Sequence, residues 1–318
     1  MKNNGYVLAL LSILLISCST KTQTDASKIF CFDTFVDIKF FAGTKDELKE
    51  VEGIFSTYDK LSDNYQERDV NNVYTINQTN DSVTIDEKLY KMLKTSFEVQ
   101  SKGADYFNPL CGSLAKKWKE ALNNNQVLDN ETIASELEKI NTSTVTFGED
   151  NTVYRSGEAE IDLGGIAKGY TLDIVKSYLE EKEIKQYLIN AGSSSILLGE
   201  KNTSDGLFTV GLKDVTNAYI KAKNCFVSTS SISEQSAVID DVTYSHIINP
   251  VTGSAVSVND AVIVISDDGY LGDALSTSMM MNTVEEIKNI ESEQNVKAIV
   301  IKDGSITYKN DSIEVLYH

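Results

Sequence analysis

The chain predicts an α+β fold: one large domain with mixed or antiparallel sheets and flanking helices. Three observations lead there. Runs rich in β-branched and aromatic residues alternate with amphipathic helical patterns, but not in the strict strand–helix rotation of a parallel sheet. The 318 residues are 41% hydrophobic, enough to bury a sizeable core. With only 2 prolines and no internal repeat, low-complexity tract or Pro-rich linker, nothing marks a second domain.

The fold is not expected to start at Met1. Lys2 precedes an apolar stretch, Val7 to Ser17, that is short for a membrane span and reads as a signal-peptide core. Leu15-Ile16-Ser17-Cys18 resembles a bacterial lipobox, in which Cys18 becomes the lipid-modified first residue; an ordinary secretory peptide with an incidental cysteine is the alternative. The expected organisation is a signal peptide over 1–17, a lipid-anchored tether over 18–28 and a folded domain over 29–318. That places the domain on the extracytoplasmic face of the cell envelope. The remaining cysteines, Cys31, Cys111 and Cys225, are odd in number and widely spaced, so buried thiols are expected in place of a disulfide framework.

From the tether onward, Ile29 to Phe40 reads as a strand. Thr44 and Glu47 form a capping box, followed by Leu48, Val51, Ile54 and Phe55 at helical spacing. Ser62 to Asn80 is polar and reads as loop and short turns. Asp86 to Ser101, Leu110 to Ala121 and Asp129 to Lys139 read as helices, and Thr144 to Arg155 as a hairpin. Strands are expected at Tyr187 to Leu198, Phe208 to Leu212, Cys225 to Thr229, Tyr244 to Ile247, Ala261 to Ile265 and Lys297 to Ile301. Helices are expected at Leu271 to Met281 and Val284 to Glu293.

With 47 acidic against 29 basic residues, the formal charge is −18. Nonspecific binding to nucleic acid is excluded, because it needs a basic face. A site for an anionic ligand therefore needs a local device, such as a metal ion or backbone amides. The run DLGGIAKGYTLD, Asp162 to Asp173, offers one: three glycines and Lys168 at the start of a helical pattern, where N–H groups and the helix N-terminus favour a phosphate. It matches neither the Walker A nor the G-x-G-x-x-G spacing, and a purely structural glycine turn is the alternative. Asp273 and Thr277 are one helical turn apart, hard oxygen donors suited to Mg²⁺; helix capping by Asp273 is the alternative. His246, the only internal histidine, precedes an Asn-Pro-x-x-Gly turn, so any imidazole chemistry must use it.

The order of these motifs is recognisable. A lipoprotein signal, a Phe-Asp-Thr strand, Ser56-Thr57-Tyr58, Tyr106-Phe107-Asn108-Pro109, DLGGIAKGY, NAGSS (Asn190 to Ser194), SHIINPVTG and DALST together resemble the ApbE family of FAD:protein FMN transferases. The resemblance implies an enzyme that moves FMN from FAD to a threonine or serine hydroxyl of an acceptor protein with Mg²⁺, releasing AMP. It implies Asp273, Thr277 and the backbone of Gly165 as metal ligands, with His246 and Asp273 as catalytic residues. Phe32, Tyr58, Tyr106, Phe107, Asn108, Asp162, Lys168 and Ile247 would line the FAD site. Acceptors would be membrane redox pump subunits or extracytoplasmic electron carriers. A Mg²⁺-dependent FAD pyrophosphatase giving FMN and AMP, or a non-catalytic FAD-binding lipoprotein, are the alternatives. Four residues depart from the family pattern: Phe32 stands where Met is usual, Asn108 where Asp is usual, and Ser193 and Ser231 where Gly is usual.

Overall fold

A computed structural model describes residues 25–318; the expected signal peptide and lipidated Cys18 lie outside the described residues. The chain opens with a hairpin of β1 (Asp25–Cys31) and β2 (Thr34–Phe40). This corrects the single strand expected over Ile29 to Phe40. Phe32 and Asp33 take φ of 54° and 55° and reverse the chain, a tight turn whose twist suits the flanking strands. The folded domain also begins before Ile29, because Ser27 and Lys28 already pair with Ile38 and Asp37. β1 is an edge strand whose alternate residues Ala26, Lys28 and Phe30 are exposed.

Helix α1 (Lys45–Ser62) starts at the expected Thr44–Glu47 capping box. The polar stretch after it contains one short helix, α2 (Val73–Asn77), capped by Asn72. β3 (Ser82–Thr84) and α3 (Glu87–Glu98) follow, then α4 (Gly112–Asn123), α5 (Asn130–Thr142) and the expected hairpin of β4 (Thr144–Phe147) and β5 (Thr152–Ser156). After α6 (Ala167–Glu181), the run expected as one strand from Tyr187 to Leu198 is again two, β6 (Tyr187–Ala191) and β7 (Ser195–Leu198), turning at Gly192-Ser193. The second half continues through β8 (Phe208–Gly211), β9 (Ala218–Ala222), β10 (Cys225–Ser231), β11 (Ser236–Ile239), β12 (Val242–Ser245) and β13 (Ala261–Ser266). It ends with α7 (Gly269–Met279), α8 (Val284–Gln294), β14 (Lys297–Lys302), β15 (Ser305–Lys309) and β16 (Leu316–Tyr317).

The main sheet has eight strands in the order β1-β2-β6-β7-β10-β13-β14-β15. Every strand pairing among the described residues is antiparallel, in keeping with the α+β expectation. Strand alternation divides the core between the two faces. On one face, Val36, Ile38 and Ile189 pack with Val51 and Phe55 of α1 and Leu172 and Val175 of α6. Further along that face, Val262 and Val264 meet Ala274 and Leu275 of α7, in a cluster that reaches Trp118 and Leu163. On the other face, Ile263 and Ile299 pack against Val210 and Ile220 of the small sheet β16-β9-β8.

Candidate functional site

Two glycines set how closely α6 and α7 approach. A Cβ on Gly169 would lie 2.1 Å from the Gly269 carbonyl oxygen, and one on Gly269 would lie 2.4 Å from that of Gly169. Only residues without side chains permit this crossing. It brings the Asp273 carboxylate of α7 to the first turn of α6, where Oδ2 accepts the Gly169 N–H at 2.7 Å. Ile166, the N-cap of α6, contributes no side-chain bond, so a residue more than a hundred positions away satisfies this otherwise orphaned amide. Asp273 is therefore not the cap of its own helix, the alternative reading of the sequence; it caps α6 instead.

The same carboxylate accepts from Ser228 Oγ at 2.6 Å and from Ser195 Oγ at 2.8 Å. Asp273 is buried; desolvation pushes its pKa above the ordinary carboxylate value, against the opposing pull of Lys168, the two serines and the Gly169 amide. Thr277 lies one turn further along α7, its Oγ1 3.2 Å from Ser230 Oγ. Gly165 faces it: a Cβ there would stand 3.5 Å from Thr277 Oγ1 and 3.0 Å from the Phe107 ring. Asp273, Thr277 and the Gly165 backbone therefore converge.

They line a cavity of about 230 Å³ whose walls include Asp162, Lys168, Tyr106, Phe107, Asn108, His246 and Ile247. Asp162 Oδ1 accepts the Gly164 N–H at 2.7 Å and shapes the glycine turn, while its own N–H donates to the Pro109 carbonyl at 2.8 Å. Asn108 accepts the Leu110 N–H and so starts the short 3₁₀ turn Pro109–Cys111. Tyr106 N–H donates to Ser278 Oγ of α7 at 3.0 Å. Lys168, second residue of α6, acts electrostatically on both Asp273 and His246.

His246 follows β12 directly, and its side chain is exposed at the rim of the cavity. Surrounding protein nevertheless disfavours the imidazolium: desolvation, with Lys168 and Lys213, lowers the pKa, opposed by the Gln235 carbonyl and Glu234. Its Nδ1 lies 3.2 Å from the Gln235 carbonyl, which can only accept. Nδ1 therefore carries the proton of the neutral ring, leaving the Nε2 lone pair free. The turn after it is fixed by Trp118, whose Nε1 donates to the Gly253 carbonyl at 2.8 Å.

A second cavity, of about 600 Å³, shares Asp162, Gly164 and Lys168 with the first and is bounded by Phe32. Phe32 is held at positive φ by the turn of the first hairpin, with its N–H donating to Asp59 Oδ1 at 2.6 Å. Tyr58 does not belong to either wall. It sits on the buried face of α1, 4% exposed, with its ring 5.8 Å from that of Tyr170, and this corrects its expected place in the site. Cys31 and Cys225 are buried free thiols as expected, whereas Cys111 reaches the first cavity, where burial pushes its pKa up to about 12.

Sequence reasoning missed Ser195 and Ser228. They are register partners on β7 and β10, both 1% exposed. Buried serines within apolar strands were the available signal, since such hydroxyls must find an acceptor. Of the departures, Ser193 takes φ of 63°, the conformation that favours glycine, while Ser231 turns its hydroxyl to Asp214 and does not line the cavity.

The ApbE family model matches residues 32–300. The chain belongs to the ApbE family. It is similar to an FAD:protein FMN transferase of Klebsiella pneumoniae, 26% identical over 231 residues, covering 69% of this chain and 70% of that protein. The match to the Rhodobacter capsulatus FAD:protein FMN transferase is 27% identical over 71% of this chain, and spans less than half, 45%, of that protein's length. Among solved structures, the ApbE protein of Thermotoga maritima superposes with a TM-score of 0.77 at 23% identity, covering 91% of this chain and 98% of that one. That likeness shows the ApbE fold.

Proposed function

We propose that this ApbE protein is an FAD:protein FMN transferase that uses Mg²⁺ to move FMN from FAD to a Ser or Thr hydroxyl of an acceptor protein, releasing AMP. The observation that carries the reading is the convergence of Asp273, Thr277 and the Gly165 backbone beside Lys168 and His246 in one cavity. The donors fit the cation: a carboxylate, a hydroxyl and a backbone carbonyl are hard oxygens. Asp273, Thr277 and the Gly165 carbonyl would hold it. Bound there, Mg²⁺ would neutralise charge on the diphosphate.

The chain's own residues supply the rest. The N-terminus of α6 and the Lys168 ammonium would supply positive potential toward the phosphate oxygens. His246 Nε2 takes the proton of the acceptor hydroxyl. The hydroxyl oxygen bonds to the FMN-side phosphorus as the bond to the AMP oxygen breaks, and AMP leaves. The first cavity alone falls below the roughly 300–1,000 Å³ of a typical ligand pocket, while the two adjoining cavities together reach that range. FAD would therefore lie astride the glycine turn.

The test is mass spectrometry of a Ser- or Thr-bearing acceptor peptide incubated with protein, FAD and Mg²⁺. A gain of one FMN is expected, lost with Asp273→Asn. AMP release with no acceptor gain would replace the reading by FAD hydrolysis, and intact FAD by flavin binding alone. We further infer that Cys18 is lipidated and tethers the domain to an extracytoplasmic membrane face; the apolar run ending at Cys18 supports this.

A further inference from the structure

A short sequence match lies across the α6–α7 crossing. Gly169-Tyr170-Thr171-Leu172-Asp173 begins at the third residue of α6, and Gly269-Tyr270-Leu271-Gly272-Asp273 opens α7. The match, Gly, Tyr and Asp at three of five positions, is too short to register as a repeat of domain scale, yet it is reproduced in the contacts. Asp273 on α7 accepts the Gly169 N–H at the start of α6. Asp173 on α6 accepts the Gly269 N–H at 2.7 Å and the Tyr270 N–H at 2.8 Å, at the start of α7. Neither N-cap residue, Ile166 or Asp268, makes a side-chain cap of its own. Each helix is therefore capped by an aspartate of the other, one turn past the glycine at which they cross.

The two aspartates face different spaces. Asp273 lines the cavity with Thr277 and Lys168, whereas Asp173 lines a separate one with Lys102, Tyr170 and Tyr270. Lys102 Nζ donates to the Tyr270 hydroxyl at 2.6 Å, holding the start of α7 from a third element. Asp273 is one turn from the anchored amides and Thr277 two turns, so a shift of that first turn displaces both side chains relative to Gly165.

We infer that Asp173 is a positioning residue for flavin transfer: from outside the reacting cavity it clamps the first turn of α7 and so sets where Asp273 and Thr277 stand. The inference rests on the reading that those two residues hold the cation.

The test compares Asp173→Ala, Asp173→Asn and Asp273→Asn in the full-length protein. Mn²⁺ binding is followed by electron paramagnetic resonance, and amide exchange at Gly269 and Tyr270 by mass spectrometry. The half-saturating Mg²⁺ for flavinylation completes the set. Asp173→Ala is expected to weaken Mn²⁺ binding by about tenfold, raise half-saturating Mg²⁺ by the same factor and speed exchange at the two amides; tenfold corresponds to about 1.4 kcal/mol, the scale of a lost charge-assisted hydrogen bond. A purely structural role would lower the amount of active protein and leave the Mg²⁺ dependence in place. A folded Asp173→Ala with wild-type Mn²⁺ affinity overturns the inference. Should Asp173→Ala not fold, Asp173→Asn decides: it keeps one acceptor oxygen, so a smaller loss of affinity supports the inference and none overturns it. Wild-type Mn²⁺ binding by Asp273→Asn refutes the cation reading itself.

Discussion

Asp273 illustrates how one carboxylate serves structure and chemistry together. Its oxygens accept from Ser195, Ser228 and the Gly169 amide, which keeps a buried charge tolerable and aims it at the cavity. Removing a donor exposes the desolvation cost. Ser195→Ala is expected to lower stability by about 1–3 kcal/mol, measured by urea unfolding, because a buried acceptor loses its partner. His246 carries a second prediction. As a base it must be neutral, and the same enclosure that lowers its pKa extends the neutral range downward. The acid limb of kcat/KM is expected below pH 6.5, with activity lost as pH falls through it, and His246→Ala is expected to remove that limb. A limb well above pH 6.5 would assign the proton to another group. At this scale the sequence was legible where polar residues were rare or clustered: a single internal histidine, an acid and a threonine one turn apart. Tyr58 was misplaced by its motif, although it stands three residues after Phe55 and seven after Val51, on the apolar stripe of α1.

Elements obeyed local signals and hid long-range ones. The capping box at Thr44 and Glu47 lies within four residues and was readable in advance. The caps of α6 and α7 come from residues 104 and 96 positions away, and no window along the chain could contain them. Both misread strands fold back at turns lacking the usual Asn-Gly or Asp-Gly, Phe32-Asp33 and Gly192-Ser193. The helix crossing makes a steep prediction. Gly169→Ala would place a methyl 2.1 Å from the backbone oxygen of Gly269, a residue whose N–H is held by Asp173, so the helices must part. A loss of about 3 kcal/mol or more is expected, read as a lower urea midpoint with an unchanged slope. Asp173 adds a pH dependence. Burial raises its pKa to about 7, reinforced by Asp268 and Asp273 and opposed by the two amides. The folded value exceeds the unfolded one near 3.9, so the native state binds the extra proton between them and this stability contribution fades as pH rises through about 7. Between pH 5 and pH 8 the wild type is expected to lose more stability than Asp173→Asn.

Over the whole molecule, the cavity is a meeting point and belongs to no single layer. Its walls come from the segment around Tyr106–Asn108, the glycine turn before α6, strands β7 and β10, the turn after β12, and helix α7. The α+β class was readable because strand and helix patterns alternate without a parallel rotation. The assembly of this site was not, because it depends on an antiparallel order in which β7 pairs with β10 across two intervening strands, β8 and the unexpected β9. A ligand seated there contacts Phe107 and Ile247 of one large apolar cluster on the helical face, and one that reaches into the second cavity also meets Cys31 of the other, so binding is coupled to global unfolding and not to local order alone. FAD at a hundredfold excess over its Kd is therefore expected to raise unfolding free energy by about 2.7 kcal/mol. If the oxygen donors of Asp273 and Thr277 hold Mg²⁺ against the diphosphate, a chelator should remove most of that gain, and Asp273→Asn should show little gain to remove. Thermal unfolding of both proteins, with FAD and with or without chelator, separates the cases. A chelator-insensitive gain in the wild type would place FAD binding on the glycine turn and Lys168 alone, and would leave Mg²⁺ without a part in holding the substrate.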